Sequence, residues 1–253
     1  MDIFSFPELA SFGLILLAAA ALQSSIGFAA GLIAIPLMNL AGATLPQAIV
    51  MSLVGSLVQT LAGAYRLRRL ISIRRYWRPI AIRTLTLPLG VYVLWRVSSL
   101  DPAFIRQLIG AVILLFVSVQ GICRVRPSDR IHPAWEWLAF GCSGFTLGLV
   151  GMGGPPIVLW VMAHRWSSRR ARAFLFSVYL AGMIPQALLL FWAFGADALH
   201  AGAAGLVLSP MILCGAWVGL AIGDRISRTL LRRIAYVVLV LIGLGALLGP
   251  MWK

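Results

Sequence analysis

The sequence predicts an all-α polytopic membrane protein built as two inverted repeats. Each repeat is a glycine-broken hairpin, re-entrant or made of short spans, followed by three transmembrane helices. Three observations carry this reading. The 253 residues are 61% hydrophobic and only 11% charged, whereas soluble domains carry about a quarter charged residues. A stretch rich in glycine and proline occurs inside an apolar segment, Ser143 to Pro156, and a weaker copy occurs near the N-terminus. The arginines collect in four short loops between apolar segments.

The apolar runs recur from end to end, as helical spans do; a β-barrel would show short alternating segments instead. No stretch is long or polar enough for a soluble domain. Residues 1–253 are therefore expected to form a single membrane domain, with residues 1–130 as the first repeat and 131–253 as the second. The N-terminal Met-Asp-Ile-Phe-Ser-Phe-Pro-Glu has no basic region, so no cleaved signal peptide is expected. Cys123, Cys142 and Cys214 are widely spaced and read as free apolar cysteines.

The first apolar segment runs from about Leu9 to Leu40. As one helix it would be roughly 48 Å long, too long for a hydrocarbon core of about 30 Å, so a break is expected at Gly27. Gly42 to Pro46 reads as a turn into a helix from Pro46 to Tyr65. A basic loop follows, with Arg66, Arg68, Arg69, Arg74, Arg75 and Arg78. Helices are expected at Trp77–Val97 and Ala103–Ile122, then a loop with Arg124, Arg126 and Arg130. The pattern repeats. Ala134 to Ala163 is again too long for one crossing and should break at Gly151–Pro156. The next loop holds Arg165, Arg169, Arg170 and Arg172. Helices follow at Ala173–Phe194, His200–Gly223 and Thr229–Leu248, with Arg225, Arg228, Arg232 and Arg233 between the last two.

Orientation decides how the glycine segments run. If each crossed once, the basic residues would divide evenly between the two faces. If each goes in and comes back, the four basic loops share one face with 17 arginines, against Arg96, Arg106 and Lys253 on the other. The positive-inside rule favours the second arrangement. It places the basic loops in the cytoplasm and the termini outside. It also inverts the second repeat relative to the first, the arrangement in which transporters hold substrate near the midplane between broken helices.

Broken helices expose free N–H groups at half-helix N-termini, with the positive end of the dipole behind them. Small residues let an anion approach such backbone closely. The candidate substrate site uses Gln23, Ser24, Ser25, Gly27, Ala29, Ala30 and Gly31 from the first stretch. The second supplies Gly148, Gly151, Gly153 and Gly154. Gly27 and Gly148 fit close helix packing equally well. Ser52 and Ser177 could add hydroxyls, or could bond their own helix carbonyls. Arg83, inside a helix, could attract an anion or snorkel to the basic face. Trp77, Trp166 and Trp192 fit interfacial belts. The seven carboxylates all lie at segment ends or in loops, which argues against a cation carrier or a carboxylate proton relay.

Gln23-Ser24-Ser25-Ile26-Gly27-Phe28 with Pro36, and Gly148-Leu-Val-Gly151-Met-Gly-Gly154-Pro-Pro156, resemble the duplicated glycine motif of the TauE/SafE sulfite exporter family. The first copy departs from the commoner form, with Ala29 and Ala30 where glycine is frequent. The resemblance covers nearly the whole chain. It implies a prokaryotic-type inner-membrane carrier of sulfite, thiosulfate or organosulfonates, and an exporter is the leading expectation. Uptake of thiosulfate or another small organic anion is the alternative of the same class, and a non-transporting assembly subunit that of another. An enzyme is not expected, because no clustered His, Asp or paired Cys supplies a catalytic constellation. No cofactor or metal is expected. The expected partners are a small anion and the bilayer, without nucleic acid; a homo-oligomer stays open.

Overall fold

The computed structural model describes residues 4–26, 30–70, 72, 74–122, 128, 131–225 and 228–249. Among them are ten α-helices and no strand. The first hairpin is α1 (Phe6–Ile26) and α2 (Ala30–Leu40), followed by α3 (Leu45–Leu67), α4 (Trp77–Val97) and α5 (Pro102–Ile122). The second is α6 (Pro133–Val150) and α7 (Gly154–Met162), followed by α8 (Ser168–Val207), α9 (Ser209–Arg225) and α10 (Arg228–Leu248). Four helical stretches are long and apolar enough to cross a membrane by themselves: Phe6–Ser25, Trp77–Val97, Pro102–Gly121 and Arg169–Val207.

The expected boundaries have local causes. The turn before α3 is built by Gly42 at φ 107° and by the Asn39 amide donating to the Ala43 carbonyl at 2.9 Å. Thr44 and Gln47 then close a capping box, with proline in the first turn, which satisfies two orphan donors reciprocally. α8 is two helices in one: Gly195 sits at φ 52°, ψ −124° and breaks the ladder, which agrees with the expected helix end at Phe194. The helix after it begins before the expected His200.

The helices pair through glycines. Gly215 and Gly219 of α9 abut the backbone of Leu17 and Ala21 of α1. Gly144 and Gly148 of α6 abut the backbone of Arg83 and Leu87 in α4, and Gly90 returns the contact. A Cβ at any of these glycines would collide with the neighbouring backbone. Two of these pairs have four-residue spacing, the small-xxx-small pattern that lets membrane helices approach without a hydrophobic drive.

The same contacts fix helix directions. α1 runs parallel to α9, because Gly13 meets Met211 while Ala21 meets Gly219. α4 runs parallel to α6, since Arg83 meets Gly144 and Leu87 meets Gly148. α5 and α10 are antiparallel: Gly110 faces Gly243 and Leu247, and the Tyr236 hydroxyl donates to Gln120 at 3.1 Å. The Ser128 amide donates to the Ala163 carbonyl at 2.9 Å. The helix ends flanking all four basic connections therefore lie at one end of the bundle.

The hairpins are uneven. α7 folds back along α6: the Phe140 and Trp160 rings are 5.2 Å apart, and the Ser143 hydroxyl donates to the Gly153 carbonyl at 2.6 Å. Nine residues make α7 about 14 Å long, less than half the hydrocarbon thickness. α2, with 11 residues, is about 16 Å long. Each hairpin is thus one helix of near-spanning length and one short return, not two equal halves.

Two measurements test this packing. Gly148→Val should destabilise the fold by about 1–3 kcal/mol through overpacking, seen as a lower Tm, while Gly245→Ala, with open space around it, should not lower it. On a cysteine-free background, single cysteines at the exposed positions Arg69 and Asp197 should label from opposite sides of the membrane.

Candidate functional site

The two broken segments meet. A Cβ on Gly31 would come within 3.3 Å of the Gly151 carbonyl oxygen, so a larger residue there would push the two segments slightly apart. Beside the meeting point is a cavity of about 120 Å³. The first half lines it with Gln23, Ala30, Gly31, Ser52 and Arg83, and the second with Gly151, Met152, Gly153, Gly154, Tyr179 and Gln186.

The backbone at the second break is specific. Gly151 takes φ 70°, which favours glycine. Its amide donates to Leu147 at 3.0 Å and that of Met152 to Thr146 at 3.3 Å. The first of these is the αL closure of α6, and the two bonds together use both amides. Gly153 caps α7 without a side-chain partner. Pro155 and Pro156 remove two further donors. The N–H groups left at the N-terminus of α7 are those of Gly153 and Gly154, at the cavity wall. The Gly153 carbonyl is held by Ser143. In a trans peptide the next N–H points the opposite way, so this bond aims the Gly154 amide away from Ser143.

Arg83 is 4% exposed. Its Nε donates to the Ser143 hydroxyl at 3.2 Å and its Nη1 to the Val178 carbonyl at 2.9 Å. The guanidinium carbon lies 5.6 Å from the Tyr179 ring centroid. Gly182 leaves room for it, as a Cβ there would meet Nη1 at 2.5 Å. No carboxylate lines the cavity among the described residues. Burying a cation without a counter-charge costs several kcal/mol, and such groups inside membranes mark binding sites and pathways. Ser52 is the second signal. It is 7% exposed; the residue borders the cavity, and its buried hydroxyl has no hydrogen-bond partner. The wall thus offers a fixed cation, two free amides at a helix N-terminus and an unused hydroxyl, a set that suits an anion.

The sequence-derived residues divide as follows. Gln23, Ala30, Gly31, Ser52, Gly151, Gly153 and Gly154 come together at the cavity. Ser24 instead accepts from the Gln59 amide at 2.7 Å. Ser25 donates to the carbonyls of Ala21 and Gly219. Ser177 donates to its own helix carbonyl at Ala173 and accepts from the Ser72 amide. Gly148 sits in the α4–α6 seam. Gly27 and Ala29 lie outside the described residues. Arg83 turns inward, so of its two readings the snorkelling one does not describe it. Trp77 and Trp192 are exposed, whereas Trp166 packs against Trp160, His164 and Phe174. Ser143, Tyr179 and Gln186 were missed as site residues. Polar groups in the middle of expected helices were the available signal for Ser143 and Gln186.

A family model described as Sulfite exporter TauE/SafE matches residues 12–246. Searches of curated proteins and of solved structures found no significant match.

At Gly154 a Cβ would meet only the Tyr179 hydroxyl, at 3.5 Å. Gly154→Ala should therefore fold with a Tm near that of the wild type. Gly154→Leu should fold as well but fill the cavity, lowering flux in proteoliposomes at least about tenfold, on the scale of 1.4 kcal/mol or more.

Proposed function

The chain belongs to the sulfite exporter TauE/SafE family, and on that premise we propose that it carries a small sulfur-containing anion, sulfite or an organosulfonate, outward across the inner membrane. The family makes it a multi-pass membrane transporter of the sulfur-anion exporter type. The observation that carries the finer reading is the cavity at the meeting of the two breaks, with Arg83, the unpartnered Ser52 hydroxyl and the Gly153 and Gly154 amides on its wall. The substrate oxygens replace their water with these donors. Apolar neighbours such as Ile49, Leu147 and Met152 keep the dielectric low and the donors effective. The reciprocal pairings of α1 with α9 and of α6 with α4 support two inverted repeats that rock about this cavity. The helix ends that flank the four basic connections lie together, and those connections carry 17 arginines in the sequence, which supports placing that end in the cytoplasm and the termini outside.

Direction follows from charge. An inside-negative potential of about 100 mV is worth about 2.3 kcal/mol per elementary charge, roughly a 50-fold outward excess of a monoanion at equilibrium. No coupling cation is required. Among the described side chains, the carboxylates of Glu8, Asp101, Glu136 and Asp197 all sit at or near helix termini or the Gly195 break, away from the cavity.

Proteoliposomes at fixed pH, with the potential set by potassium and valinomycin, test this. An inside-negative potential should speed net sulfite efflux, and choline in place of sodium should leave it unchanged. A requirement for sodium would overturn the reading of the site.

A further inference from the structure

We propose that the cavity selects an anion carrying one negative charge, because Arg83 is its single counter-charge. This rests on reading the cavity as an anion site and names the charge class of its substrate. The other partners of Arg83 are neutral: the Ser143 hydroxyl, the Val178 carbonyl and the Tyr179 ring. α4 carries it, and α6 and α8 pack around it. The cavity wall contributes no carboxylate and no second cation, and Tyr179 is the only other titratable side chain there among the described residues. Ser52 and the Gly153 and Gly154 amides add dipoles and no net charge.

The empty site therefore bears one positive charge and a site loaded with a monoanion bears none. A dianion would leave one uncompensated negative charge in a low-dielectric wall, which is unfavourable. Hydrogen sulfite fits the site, and the fully deprotonated sulfite ion fits it less well. When the repeats alternate around a fixed site, the loaded step moves a neutral pair and the empty step moves the charge of Arg83. The membrane potential then acts on the return of the empty site.

Two measurements on the full-length protein test this. In the first, sulfite binding is read from the Tm shift at a pH where hydrogen sulfite dominates and at one where the dianion dominates, with sulfate as a dianion at both. The apparent Kd for total sulfite should rise at least tenfold as hydrogen sulfite is depleted, and sulfate should bind weakly throughout. Arg83→Gln should weaken sulfite binding at least tenfold, Arg83→Lys should recover part of it, and Tyr179→Phe should keep the pH profile. Tighter binding of the dianion, or a profile that vanishes in Tyr179→Phe, overturns the charge assignment while leaving the anion site standing. No Tm shift with sulfite at either pH overturns the anion site itself.

The second measurement needs no variant. Self-exchange of radiolabelled sulfite at the lower pH should run at the same rate at zero and at inside-negative potential, while net efflux accelerates. Self-exchange that follows the potential in parallel with net efflux means the loaded site is charged, and overturns the proposal.

Discussion

The hydrogen-bond chain from Arg83 through Ser143 to the Gly153 carbonyl is the constraint on which the rest of the site depends. It ties a buried cation to the broken backbone of the second hairpin. The Gly153 carbonyl would otherwise compete for the cavity as a negative dipole. Held by Ser143, it turns away, and the amide of the same peptide is left for the cavity. The side chain that supplies the charge thus also helps to orient the Gly154 amide, so the charge and this neutral donor at the cavity rise or fall together.

This arrangement requires that α4 and α6 lie very close, because Arg83 reaches Ser143 across their seam. Gly90, Gly144 and Gly148 bring the two backbones into contact. The seam between α1 and α9 does the equivalent work in the other half through Gly215 and Gly219. There the Ser25 hydroxyl spans the gap to the Gly219 carbonyl at 2.6 Å, directly before the first break. The glycines therefore have two separate uses. Those with four-residue spacing inside helices set interhelical distance. Gly151 supplies the φ 70° turn, Gly153 lets the start of α7 press against Ser143 and Leu147 of α6, and Gly154 leaves the space towards Tyr179 free of a side chain.

This division explains how much was legible in the sequence. Helix positions followed from the apolar runs and from the loops that interrupt them. The shared end of the four basic connections followed from charge alone, since an odd or even number of crossings changes the arginine distribution completely. Gly148 was harder to assign, because a glycine against a neighbouring backbone and a glycine against a ligand look alike in a linear chain. The serines differed for a related reason. Ser177 bonds its own helix carbonyl, as most membrane serines can, while Ser52 does not; only three-dimensional neighbours separate them. Arg83 was visible as a charge in a helix, but the direction of a long side chain depends on Gly182, which lies on α8 and makes room for it.

The two halves also share the work unequally. The first break lends a close approach at Gly31, with Gln23 and Ser52 nearby. The second supplies the free helix N-terminus. Pro155 and Pro156 remove donors there, which looks like a loss for an anion site. Their effect is instead to narrow it. A full helix N-terminus offers several N–H groups over a broad arc, and those not meeting the ligand would need water deep in the bilayer. With two donors removed by proline and the Gly151 and Met152 amides consumed by the closure of α6, few unpaired amides remain to be desolvated. The Gly153 and Gly154 amides stand at the positive end of the α7 dipole, and the Ser143 contact orients the second of them.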